Sequence, residues 1–127
     1  MKVLVLEDNS NRIRQFKQRI LEHGWVGEYV DTAREAIRLL KEKEYDLILL
    51  DHDLGDHDLG DQVFVNSAET NTGAEVARYI NKNPVDAKVI IHSLNPAGSR
   101  YMQEMIPGSF LVPFVWDEKT FHKTIKG

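Results

Sequence analysis

Leu47-Ile48-Leu49-Leu50-Asp51-His52-Asp53-Leu54-Gly55 is the stretch that decides the fold. Four consecutive apolar residues read as a strand buried on both faces of a parallel sheet. In such sheets ligands bind in the crevice beyond the carboxyl ends of the strands, and Asp51, His52 and Asp53 stand at that position. Working outward, Val3-Leu4-Val5-Leu6 is a second apolar strand and runs into Glu7-Asp8. Val89-Ile90-Ile91 is a third and runs into His92-Ser93. Three strand ends thus deliver acid, acid and His-Ser to one crevice.

Helical periodicity fills the intervals. Residues 2–7 read as the first strand. Residues 10–23 read as a helix with Ile13, Phe16, Ile20 and Leu21 on one face, ended by Gly24. Residues 25–30 are a mixed edge strand. Thr32 with Glu35 forms a capping box before a helix whose buried stripe is Ala33, Ala36, Ile37 and Leu40. The third strand is 45–50. Thr72 with Glu75 is a second capping box, opening a helix with Val76, Ala77 and Ile80 inward. Residues 87–92 are the fourth strand, 97–105 a short helix, and 109–112 a fifth strand stopped by Pro113. Asp117 caps a last helix that buries Phe121 and Ile125. Strands alternating with helices imply a single-domain α/β protein over residues 1–127, a parallel sheet with helices on both faces.

The segment from Asp51 to Asn71 is the irregularity. It exceeds the roughly 2–6 residues of an ordinary strand-to-helix loop, and long loops are often functional. Asp51 to Gly55 is repeated as Asp56 to Gly60, a local tandem duplication. Only the first copy follows a strand, so the chemistry is assigned to it and His57 is left as its duplicate.

Composition narrows the function classes. The 127 residues, 42% of them hydrophobic, suffice for one core. No apolar run approaches the roughly 20 residues of a membrane span. A strand that starts within two residues of Met1 leaves no room for a signal peptide. The absence of cysteine excludes disulfides and thiolate metal sites, and fits a cytoplasmic protein. A net charge of −4 without a basic tail excludes an extended nucleic-acid surface.

Glu7, Asp8, Asp51 and Asp53 are hard oxygen donors at converging strand ends, which suit Mg²⁺ or Mn²⁺. Clustered carboxylates repel one another, and a cation removes that repulsion. His52 and His92 are candidate acid and base, or ligands of a transition metal. In Ser93-Leu94-Asn95-Pro96-Ala97-Gly98, the hydroxyl, amide and backbone N–H groups of Ser93, Asn95 and Gly98 are candidate donors to phosphate oxygens. Taken alone, that segment is also an ordinary turn. Arg12, near the start of the first helix, is the arginine best placed to meet a phosphate. Dinucleotide fingerprints, P-loops, nucleophile elbows and zinc-protease helices are absent from the sequence.

These residues make the chain resemble the receiver domains of two-component response regulators, a flavodoxin-like fold with strand order 2-1-3-4-5. The likeness rests on Glu7-Asp8, Asp51, Ser93 and Pro113 after strands 1, 3, 4 and 5. It implies that the acidic pair and Asp51 hold Mg²⁺, with the backbone carbonyl of Asp53 completing the shell. It also implies that Asp51 accepts a phosphoryl group contacted by Ser93. Receivers carry Lys-Pro at the end of strand 5, whereas Val112 precedes Pro113 here. Asp-His-Asp-Leu-Gly after strand 3 and His-Ser-x-Asn-x-x-Gly after strand 4 are similar to the cyclic-phosphate processing receiver domain, as is Thr72-Gly73. That resemblance implies a phosphoesterase acting on a 2′,3′-cyclic RNA end or small cyclic nucleotide. Glu7, Asp8, Asp51 and Asp53 would hold the metal. His52, His92 and Asp51 would be catalytic, and Ser93, Asn95 and Gly98 would bind phosphate, with Arg12 added from its place near the start of the first helix. A signalling receiver phosphorylated on Asp51 and a non-catalytic phospholigand-binding module are the alternatives.

Overall fold

The computed structural model describes residues 1–51, 72–93 and 95–112. The helix expected after Asp117, the repeat with His52 and Asp53, Leu94 and Pro113 lie outside the described residues. Within them the order is β1 (Lys2–Leu6), α1 (Ser10–Glu22), β2 (Val26–Val30), α2 (Ala33–Glu42), β3 (Leu47–Leu50), α3 (Gly73–Lys82), β4 (Lys88–Ile91), α4 (Pro96–Met105) and β5 (Phe110–Leu111). The five strands form one parallel sheet in the order β2-β1-β3-β4-β5, as expected.

The apolar runs occupy the centre. Val3 to Leu6 and Leu47 to Leu50 are 0% exposed, which requires cover on both faces. Alternation of side chains along each strand divides them. Leu4, Leu6, Ile48, Leu50, Val89 and Ile91 pack against α2, α3 and α4. Val3, Val5, Leu47, Leu49 and Ile90 pack against Phe16 and Ile20 of α1. Each fully buried leucine or isoleucine contributes about 1.5–3 kcal/mol relative to exposure, so these three strands anchor the molecule. At the sheet edge, β2 alternates poorly and Val26 is largely exposed.

Local signals hold with three corrections. Gly24 ends α1 at a φ of +74°, a conformation glycine adopts without strain. Thr32 caps α2 through Oγ1, which accepts from the Glu35 amide at 3.1 Å. Leu21, expected on the buried face of α1, is 77% exposed because the inward stripe runs through Phe16 and Ile20, and Leu21 turns away from it. Ile37 and Leu40 of α2 are only partly buried, and Leu39 takes a core position beside Ala33 and Ala36. Thr72 makes no side-chain cap, and its carbonyl instead accepts from the Glu75 amide.

α3 starts with Gly73 pressed against the end of β3. A Cβ at Gly73 would fall on the carbonyl oxygen of Asp51 and within 2.8 Å of Met102 Cε. Backbone cannot move aside as a flexible side chain can. Gly73→Ala is therefore expected to destabilise the protein by about 1–3 kcal/mol, the usual range for overpacking. Urea unfolding of both proteins checks this, and equal midpoints would show that α3 slides freely past β3.

Candidate active site at the strand ends

Parallel register builds the site. Leu6, Leu50 and Ile91 are aligned across β1, β3 and β4. The ladder continues one residue further: the amides of Glu7, Asp51 and His92 donate to the carbonyls of Val30, Leu6 and Leu50 at 3.0, 3.1 and 2.9 Å. Glu7, Asp51 and His92 therefore stand side by side, one step past the last strand residues. Alternation turns them toward the face that α1 covers, as for Val5, Leu49 and Ile90. Exposure is 0% for Glu7, 2% for Asp51 and 1% for His92.

α1 closes over this row. Asn9 caps the helix, accepting from the Arg12 amide at 3.0 Å, which fixes the first turn. Arg12 and Phe16, four residues apart, share one face. The Phe16 ring meets His92 edge-on, with centroids 4.9 Å apart at 62°. Arg12 Nε lies 3.1 Å from Glu7 Oε1, and Nη2 lies 3.6 Å from Asp51 Oδ2. The amides of Asp8 and Asn9 donate to Glu7 Oε2, each at 3.1 Å.

Burial sets the protonation states. It raises Glu7 to about 7, helped by the Asp51 charge and opposed by the Asn9 amide and Arg12. Burial pushes His92 down to about 3, and the nearby Arg12 charge lowers it further. His92 is therefore neutral at neutral pH, and its 3.5 Å approach from Nδ1 to Glu7 Oε1 is not an ion pair.

One ligand atom from each of Glu7, Asp51 and His92 lies within 4.8 Å of the others. This set fits a divalent cation. Carboxylate oxygens suit Mg²⁺ and Mn²⁺, and the imidazole shifts the preference toward the transition metal. Among the described residues Asp8 is not in the group: it follows Glu7 directly, and successive side chains diverge. Asp53 and His52 lie outside the described residues. Ser93 is buried at the end of β4 and its Oγ accepts from the Asn95 amide at 3.0 Å. Asn95 Oδ1 accepts from the Gly98 amide at 2.9 Å, so Asn95 and Gly98 form the cap of α4, with Pro96 in its first turn. Sequence reasoning missed Phe16 as the wall behind His92 and Gly73 as the seat of Asp51. The first was visible as the residue one turn after Arg12.

The family model of the cyclic-phosphate processing receiver domain matches residues 2–108. The chain belongs to that family. Among solved structures, this receiver domain is similar to the signal receiver domain of a Luxo repressor protein from Vibrio parahaemolyticus, at 20% identity and TM-score 0.75, covering 98% of this chain and 86% of that one. It is similar to response regulator protein TrrA from Thermotoga maritima in complex with Mg²⁺-BeF, at 21% identity and TM-score 0.75, covering 98% and 96%. It is also similar to the receiver domain of a sensor histidine kinase from Pseudomonas aeruginosa with magnesium coordinated in its active-site cleft, at 16% identity and TM-score 0.76, covering 98% and 93%. At these identities the likeness establishes the receiver fold. A search of curated proteins returns no match to this chain. None of the described helices is long and apolar enough to cross a membrane. Val112, the residue that departs from the receiver pattern, is partly buried and packs against the cluster of Val5, Phe16 and Leu49.

Proposed function

We propose that this receiver domain is a metal-assisted phosphoesterase that opens a cyclic phosphate, such as a 2′,3′-cyclic RNA end or a small cyclic nucleotide, in the cytoplasm. The observation that carries the reading is the buried row of two carboxylates and a neutral imidazole at the strand ends, in a chain of this family. Glu7 and Asp51, with Asp8 and Asp53 as the further ligands expected from sequence, would hold Mg²⁺ or Mn²⁺. The cation would supply positive charge to the phosphate and acidify water. Opening forms one P–O bond to the water oxygen and breaks one P–O bond to a ring oxygen. One proton leaves the water and another reaches the departing alkoxide. His92, neutral, is in the protonation state of an acceptor, and His52 is left to donate. Ser93 Oγ–H and the Asn95 side-chain amide would orient the phosphate oxygens.

A second reading, phosphoryl transfer to Asp51 as in signalling receivers, is favoured by the seat of Asp51 at the end of β3. It is disfavoured by Val112, because a cation that stabilises the phosphorylated carboxylate is missing there.

The test is incubation of the pure protein with a panel of cyclic phosphates, with and without Mn²⁺, beside Asp51→Asn and Asp58→Asn. Metal-dependent turnover that Asp51→Asn abolishes and Asp58→Asn spares is the expected result, with Mn²⁺ affinity falling only in Asp51→Asn. Acyl-phosphate formation from acetyl phosphate without turnover would replace the esterase with the signalling reading. Binding without either reaction would leave a phospholigand-binding module.

A further inference from the structure

Receivers place a lysine at the end of strand 5, and this chain places Val112 there, packed into the apolar cluster behind α1. Among the described residues, a cation reaches Asp51 from α1 instead. Arg12 projects from the first turn of α1, held by the Asn9 cap behind it and by Phe16 in the core one turn on. Its side chain is 24% exposed, against 0% for Glu7 and 3% for Asp51, so it bridges the buried acids and the solvent side of the crevice. Nε stands 3.1 Å from Glu7 Oε1, an ion-pair contact. Nη2 stands 3.6 Å from Asp51 Oδ2, close enough for charge attraction and too far for a hydrogen bond. The guanidinium is a planar fork of five donors, a match for the paired oxygens of a phosphate.

We propose that Arg12 is the phosphate-anchoring cation of this crevice, delivered from α1 in place of the strand 5 lysine of receivers. The proposal rests on the reading of the crevice as a phosphate site. Its single positive charge also offsets part of the repulsion between the two buried carboxylates. A divalent cation bound by the same acids would repel the guanidinium and favour Arg12 meeting an anion on the solvent side.

The experiment is calorimetric titration of the parent, Arg12→Ala and Arg12→Gln. Mn²⁺ alone is the first probe, and inorganic phosphate added to the Mn²⁺-loaded protein is the second. Both variants should bind phosphate about 10- to 100-fold more weakly, the loss of one charge-assisted, two-pronged contact. Both should bind Mn²⁺ more tightly than the parent, because a competing positive charge is gone. Parent-like phosphate affinity in either folded variant overturns the proposal, as does a parent that takes up Mn²⁺ but no phosphate. Weaker Mn²⁺ binding in both variants also overturns it, since Arg12 would then serve to position the acids. If phosphate binding depends on Arg12 but no cyclic phosphate is turned over, the anchor stands and the esterase reading falls.

Discussion

His92→Ala is expected to slow the opening of a cyclic phosphate by roughly 10²- to 10⁴-fold, the range for losing a general acid or base. His52→Ala is expected to do the same, and the double variant to lose less than the product of the two, because both act on one step. Ligand affinity should change far less, since the carboxylates and Ser93 remain. A bell-shaped pH profile bounded by two histidines is the natural expectation from sequence. Burial removes His92 from that role by pushing it down to about 3, so His92 is neutral across the working range and adds no limb to the profile. Steady-state kinetics over a Mn²⁺ series decide its part. A rate restored by excess metal makes His92 a ligand. Full activity at ordinary metal makes it a packing partner of Phe16.

The second large effect is on stability against pH, measured by urea unfolding in a chelator. His92 has a folded value of about 3 against an ordinary 6.5. Between those values the unfolded chain holds more protons, so its contribution to stability rises with pH, by up to about 1.4 kcal/mol per unit. Glu7 has a folded value of about 7 against an ordinary 4.5. Between those the folded protein holds more protons, and the Glu7 contribution falls as pH rises. The two slopes oppose each other from about pH 4.5 to 6.5 in the parent, which should be nearly flat there. His92→Gln should lose stability as pH rises through this window, and Glu7→Gln should gain it. Parallel curves for the two variants would mean that at least one of these groups titrates as it does in the open chain.

The crevice was legible before the fold because its strands are short apolar runs with polar ends. Glu7, Asp51 and His92 each follow such a run, and a parallel sheet has only one carboxyl edge. The set of four acids was less secure. Asp8 was counted with Glu7 by adjacency, yet adjacent residues at a strand end face opposite ways, and among the described residues the structure groups Glu7 with Asp51 and His92 instead. Asn95 and Gly98 were legible as small polar groups after β4, and equally as the helix cap they form.

What the amino-acid sequence by itself determined is therefore the α/β class, the identity of the buried strands, the receiver family and the crevice edge. Those follow from periodicity and from local chemistry that spans a few residues. Only the tertiary structure decided that Arg12 lies across Glu7 and Asp51, that Phe16 backs His92, that Gly73 seats Asp51, and that His92 is neutral. Each depends on register between strands more than 40 residues apart and on the helix that covers them. Proton affinity in particular is set by the water that packing excludes and by charges that packing brings near, and neither quantity exists until the chain has folded.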